Sequence, residues 1–199
     1  MKKQTTILLL GLLALYAVFT IINGRLENHT VNDSSYQKVD LSSCSLVDLD
    51  DDRVVLTIPS EYVYGATPSD LEKTANELGY ESIILNQDGS ATYTITKEQH
   101  QTMLKDLAKG INEKLAAIPG SDKYDDISSI EANEDFTQYK VYLSTSTAEF
   151  NESMSVMLFK MYGTMYNCFN GVTDETIVIE YYNKNGDLIA SYDSTPIEE

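Results

Sequence analysis

The sequence predicts an α+β protein: one mostly antiparallel sheet of about seven strands, three helices packed on one face, element order β-α-ββ-α-ββ-α-ββ. Two observations carry this. Runs rich in β-branched and aromatic residues come in pairs, two of them joined by Asp88-Gly89 and Asn185-Gly186, dipeptides that accept the positive φ of a tight hairpin. Between the pairs lie segments with helix caps and apolar residues at helical spacing. Hairpins make antiparallel neighbours, and amphipathic helices need a sheet face to cover.

"RVVLTI" alternates, placing Val54, Leu56 and Ile58 on one face of a strand that Pro59 ends. "TPSDLEKTANELG" offers Thr67 as N-cap, Pro68 at the first helical position and Gly79 as the stop, so a short helix follows. In "YESIILNQDGSATYTIT" a two-residue turn at Asp88-Gly89 pairs Ile84 with Tyr93 and Ser82 with Ile95. That register puts Ile84, Tyr93 and Ile95 inward. Thr96 and Gln99 then form a capping box, opening a helix whose face is Met103, Leu104, Leu107, Ile111, Leu115 and Ile118 and whose end is Pro119-Gly120.

"DISSIEAN" and "DFTQYKVYLS" come next, the second with Tyr139, Val141 and Leu143 inward and Gln138, Lys140 and Tyr142 outward. Ser146 and Glu149 cap a third helix with an apolar face of Phe150, Met154, Met157, Leu158, Met161, Tyr162, Met165, Tyr166 and Phe169. Gly171 lies just beyond it. "TIVIEYYNKNGDLIASYD" closes the chain as a hairpin on Asn185-Gly186, with Ile177, Ile179, Tyr181, Leu188, Ala190 and Tyr192 on one side.

Ahead of this body, Lys2 and Lys3 precede an uncharged apolar run from Ile7 to Ile22, the layout of a signal peptide or an N-terminal membrane anchor over residues 1–24. Signal peptidase wants small residues one and three positions before its cut. Cuts after Asn23 or Gly24 have only Ile21 or Ile22 at the third position, which favours a retained anchor with the lysines in the cytoplasm. "LSSC" at Cys44 is not a lipid-attachment box, because it lies far behind the apolar run, past Arg25 and Glu27. Residues 25–51 are polar and acidic and read as a tether; residues 52–199 read as a single globular domain.

All 31 acidic residues follow Arg25, while Lys2, Lys3 and Arg25 are three of the 14 basic ones, so the part of the chain after Arg25, tether included, carries a net charge of −20. Such a charge repels phosphate backbones and excludes nucleic acid as a partner. The acidic runs "DLDDD", "DKYDD" and "EANED" leave calcium as the one cofactor to consider. A helix-loop-helix calcium loop counted from Asp48 fails, because Arg53 and Pro59 stand where glycine and glutamate are needed.

No catalytic set emerges. The two histidines are His29, in the tether, and His100, which reads as a solvated residue on the first turn of the second helix; no nucleophile elbow accompanies either. Cys44, Cys168, His29 and His100 lack metal-ligand spacing, and there is no Gly-rich phosphate loop. Cys44 and Cys168 are open to two readings, a disulfide of an oxidising compartment or a buried and a free thiol. Tyr62 and Tyr64 in "SEYVYG", with Tyr162, Tyr166 and Asn170 at the end of the third helix, are the candidate ligand or partner contacts, since tyrosine buries area at low entropic cost.

The stretches "VVLTIPSEYVYG", "GYESIILNQDGSATYTITKEQHQTMLKDL", "SIEANEDFTQYKV" and "MYGTMYNCFNG" resemble a group of small exported proteins of Gram-positive bacteria, many of them lipoproteins with a similar domain behind a short tether. The resemblance spans about residues 52 to 195 and brings no established activity, so it transfers no functional residue. This chain departs from the lipoprotein members in having no cysteine straight after its leader. The expectation is a non-catalytic, membrane-tethered or secreted module that binds a protein or glycan outside the cell. The alternative is an extracytoplasmic hydrolase, for which convergent titratable groups in a pocket would be the mark.

Overall fold

The computed structural model describes residues 44–63, 65–146 and 150–193, residues 150–154 by backbone only. The leader, residues 25–43 of the tether, Tyr64, the Glu149 of the third capping box, and the side chains of Phe150 and Met154 lie outside this description. No helix among the described residues is long and apolar enough to cross a membrane.

Along the chain run β1 (Ser45–Asp48), β2 (Arg53–Ile58), α1 (Ser60–Val63), α2 (Pro68–Leu78), β3 (Ser82–Leu85), β4 (Ala91–Thr96), α3 (Lys97–Ala116), β5 (Ile127–Ala132), β6 (Gln138–Leu143), α4 (Phe150–Phe169), β7 (Val178–Tyr182) and β8 (Leu188–Asp193). The class is α+β, as the pattern predicts. The single sheet of about seven strands with three helices is not what forms. Two four-stranded sheets appear instead, ordered β1-β2-β4-β3 and β5-β6-β7-β8. The first is antiparallel throughout; in the second, β6 and β7 are parallel because α4 crosses over between them. Turn chemistry specifies pairing within a hairpin but not which hairpins join, and that is where the expectation failed.

Contacts divide the chain into two compact units, one holding residues up to Gly110 with Cys168–Thr173, the other Ile111–Asn167 with the residues from Asp174 on. In the first, Val54, Leu56, Ile58, Ile83, Ala91 and Ile95 are buried. Thr67 caps α2 as expected: its Oγ1 accepts from the Asp70 N–H, and the Asp70 carboxylate accepts from the Thr67 N–H at 3.0 Å. α2 packs on β3.

The strand β1 comes from residues the sequence assigns to the tether. Only four residues long and half surrounded by serine and aspartate, it gives no alternation strong enough to detect. Three contacts hold it. It pairs along β2, Cys44 beside it is joined to Cys168 by a disulfide with Cα atoms 5.4 Å apart, and Leu46 sits directly on Gly171. A Cβ on Gly171, whose φ is +76°, would lie 2.4 Å from that of Leu46.

The β3–β4 hairpin is one residue out of the expected register. Ser82 faces Thr94 and Ile83 faces Tyr93, so Ile83 is buried and Ile84 is 56% exposed. The loop is the reason. The Gly89 N–H donates to the Asn86 carbonyl and the Asn86 N–H to the Ser90 carbonyl, a three-residue loop with Gly89 at φ +86° instead of a two-residue turn. A slip of one residue exchanges the faces of a strand.

In the second unit Tyr139, Val141 and Leu143 are buried as predicted. α4 lies on them with its buried stripe turned from the expected one. Phe159 is fully buried and stacked on Tyr139 at 5.0 Å, Ser155 bonds the Tyr181 hydroxyl, and Met157 is 46% exposed. A helix apolar nearly all round offers little contrast from which to read its buried side. Gly163 is forced by proximity: a Cβ there would lie 2.3 Å from the Phe136 carbonyl oxygen and 2.8 Å from Ile177 Cδ1.

Candidate functional site

Of the candidate contacts, Tyr62 and Asn170 fall in the first unit, Tyr162 and Tyr166 in the second, and Tyr64 outside the described residues. Tyr62 is a core residue, its ring edge-on to Phe169 at 6.1 Å and its buried hydroxyl without a hydrogen-bond partner among the described residues. Tyr162 is also buried, and burial pushes its phenol up to about 12. Tyr166 and Asn170 are half-buried, Tyr166 lying edge-on to Phe136 at 5.0 Å. Its phenol is raised by burial first, then by Asp135 and Glu134.

His100 is buried rather than solvated, with Nε2 2.8 Å from the Phe169 carbonyl oxygen. The positions 100, 104, 107 and 111 share one helix face, so the stripe read from Met103 onward begins one turn earlier. The acidic run after Asp48 builds a turn: the Asp50 carboxylate accepts from the Asp52 and Arg53 N–H groups and pairs with the Arg53 guanidinium, which also reaches Glu81 at 2.7 Å. Among the described residues no group of three or more His, Cys, Asp or Glu is placed to hold a metal. An open depression on the outer side of α2, lined by Ser69, Glu72, Lys73, Asn76 and Glu77, gathers only side chains of one helix and no convergent set.

The distinctive chemistry lies on the solvent side of the second sheet. There the outward positions of neighbouring strands form rows: Glu131, Lys140, Glu180 and Ser191 in one, Ser129, Tyr142, Tyr182 and Leu188 in the next. Tyr142 and Tyr182 are register partners in the parallel β6–β7 pair, and their rings stack with centroids 5.4 Å apart and planes 25° apart. Each hydroxyl is tied to a carboxylate. Tyr142 donates to Glu131 at 3.3 Å and Tyr182 to Glu180 at 2.8 Å. Tyr182 is raised above the ordinary phenol range chiefly by that bond, and Tyr142 by desolvation and then by Glu131.

This arrangement turns two large rings outward where a one-sided sheet normally carries polar residues. The chain matches no family model, no curated protein and no solved structure. The site therefore stands on its own geometry. The sequence signal for Tyr142 was its outward phase in β6; Tyr182 holds the same phase in β7, and the parallel crossover that brings the two together was the unforeseen step.

Proposed function

We propose that this chain is a non-catalytic binding module outside the cell, tethered to the membrane or released by its N-terminal segment, and that the solvent face of the second sheet is its contact surface. The observation that carries the reading is the stacked Tyr142–Tyr182 pair, half-exposed and locked at both hydroxyls by glutamates. Rings held in one conformation lose little entropy when a partner covers them, which is why tyrosine recurs at interfaces. Among the described residues the groups whose protonation is displaced are tyrosines, Arg53 in its ion pairs, and aspartates of turns and a helix cap rather than a convergent acid–base pair, which favours binding over hydrolysis.

The leader and the net charge of −20 support an exported location, as does the resemblance to Gram-positive exported proteins. The test is crosslinking of the native protein in its own cells, followed by mass spectrometry of its amino terminus and of the crosslinked residues. Expected are crosslinks through Lys140 to a second molecule. An unmodified Lys140, or a chain found in the cytoplasm, would overturn the reading.

A further inference from the structure

Resting on the binding-module reading, we propose that the open face of the second sheet takes a basic, extended segment of a partner protein, an arginine of which lies on the paired rings of Tyr142 and Tyr182 within reach of Glu131 and Glu180. Charge complementarity carries the choice of occupant. The body after Arg25 has a net charge of −20, which draws cationic partners and repels anionic ones. At the site each stacked ring has one π face against the other and one turned away from it, on which a cation can lie, and two carboxylates stand at their hydroxyls. A carboxylate accepting one phenol hydrogen keeps most of its acceptor capacity.

A guanidinium suits this better than an ammonium, because its plane stacks on an aromatic ring while its N–H fork pairs with carboxylate oxygens. An extended partner presents every second side chain to one side, the step that separates Glu180 from Tyr182 and Lys140 from Tyr142 along their strands. Lys140, between Glu131 and Glu180 in register, opposes a cation there. Its charge makes the inference sharp, since removing it must tighten the complex.

The test is fluorescence anisotropy on the full-length protein in detergent, with a labelled peptide of alternating arginine and serine at physiological ionic strength. Saturable binding is expected, weakened about tenfold by Tyr142→Leu with Tyr182→Leu and by Glu131→Gln with Glu180→Gln, and tightened about threefold by Lys140→Ala. Because Lys140 is exposed, that variant reads the site even where the tyrosine pair fails to fold. Glu72→Gln with Glu77→Gln, on α2, removes the same charge elsewhere and should change little. If the α2 pair weakens binding as much as the face variants, the attraction is general charge and the inference falls. If the arginine peptide does not bind while a neutral oligosaccharide perturbs the Tyr142 and Tyr182 rings, the arginine assignment falls and the binding-module reading stands. Rings unmoved by either probe would end both.

Discussion

At the scale of single residues, close approach and backbone hand matter more than side-chain size. Gly163 gives the Phe136 carbonyl and Ile177 the space a methyl would need. Gly163→Ala should therefore cost about 2–3 kcal/mol, the range of overpacked cores, read as a lower urea midpoint at unchanged m-value. Phe136 has φ 54°, alone among described non-glycine residues in the left-handed region. Its N–H donates to the Asn133 carbonyl at 3.2 Å, and Gly89 and Gly186 hold the corresponding place in turns led by Asn86 and Asn183. Phenylalanine bears the strain there because its ring is fully buried against Tyr166. Phe136→Gly should relieve about 1 kcal/mol of strain and lose more than that in burial, for a net loss of about 2–4 kcal/mol by denaturant melt.

At the scale of elements, most local structure was legible. The Thr67 cap, the Thr96–Gln99 box and the alternation of Tyr139, Val141 and Leu143 stand as read, because each depends on neighbours within a few residues. The last hairpin forms at the expected place but not with the expected two-residue turn: Asn183 and Asp187 close a three-residue loop, and a register shift between Tyr181 and Tyr182 pairs Leu188 with Tyr182, leaving Leu188 52% exposed instead of on the side of Ile179 and Tyr181. Thr67→Ala should cost about 1 kcal/mol, visible as a lower thermal midpoint. What was illegible depended on more distant partners or weak contrast. Asp88-Gly89 marked a turn but not its length, and Asn86 and Ser90 decided that by closing a longer loop. β1 needed β2, Cys168 and Gly171 to become a strand. The candidate surface was half legible: outward Tyr142 could be read from alternation, whereas its stacking on Tyr182 waited on the parallel pairing.

At the scale of the whole molecule, covalent closure and titration set the stability. The Cys44–Cys168 bond closes a loop of sequence separation 124, so Cys44→Ser with Cys168→Ser should cost roughly 2–5 kcal/mol in reversible denaturation. Tyr80, Tyr93 and Tyr162 are raised to about 12 by burial first. Each stays protonated in the folded state after its unfolded counterpart ionises near about 10. Stability from these phenols is complete below that value and lost as pH climbs toward 12. Alkaline unfolding should therefore coincide with a cooperative step in phenolate absorbance; gradual ionisation without unfolding would refute the burial of these rings. At the acid end the lowered Asp50, Asp70 and Asp88, each hydrogen-bonded in a turn or cap, add stability above the ordinary carboxylate range that is lost as pH falls below it. The most direct test of the central claim places a photoreactive side chain at position 140 or at position 72 and irradiates living cells. The account predicts a discrete protein adduct at position 140 that disappears when Tyr142 and Tyr182 are both replaced by leucine. Equal labelling at both positions, or labelling at position 72 alone, would contradict it.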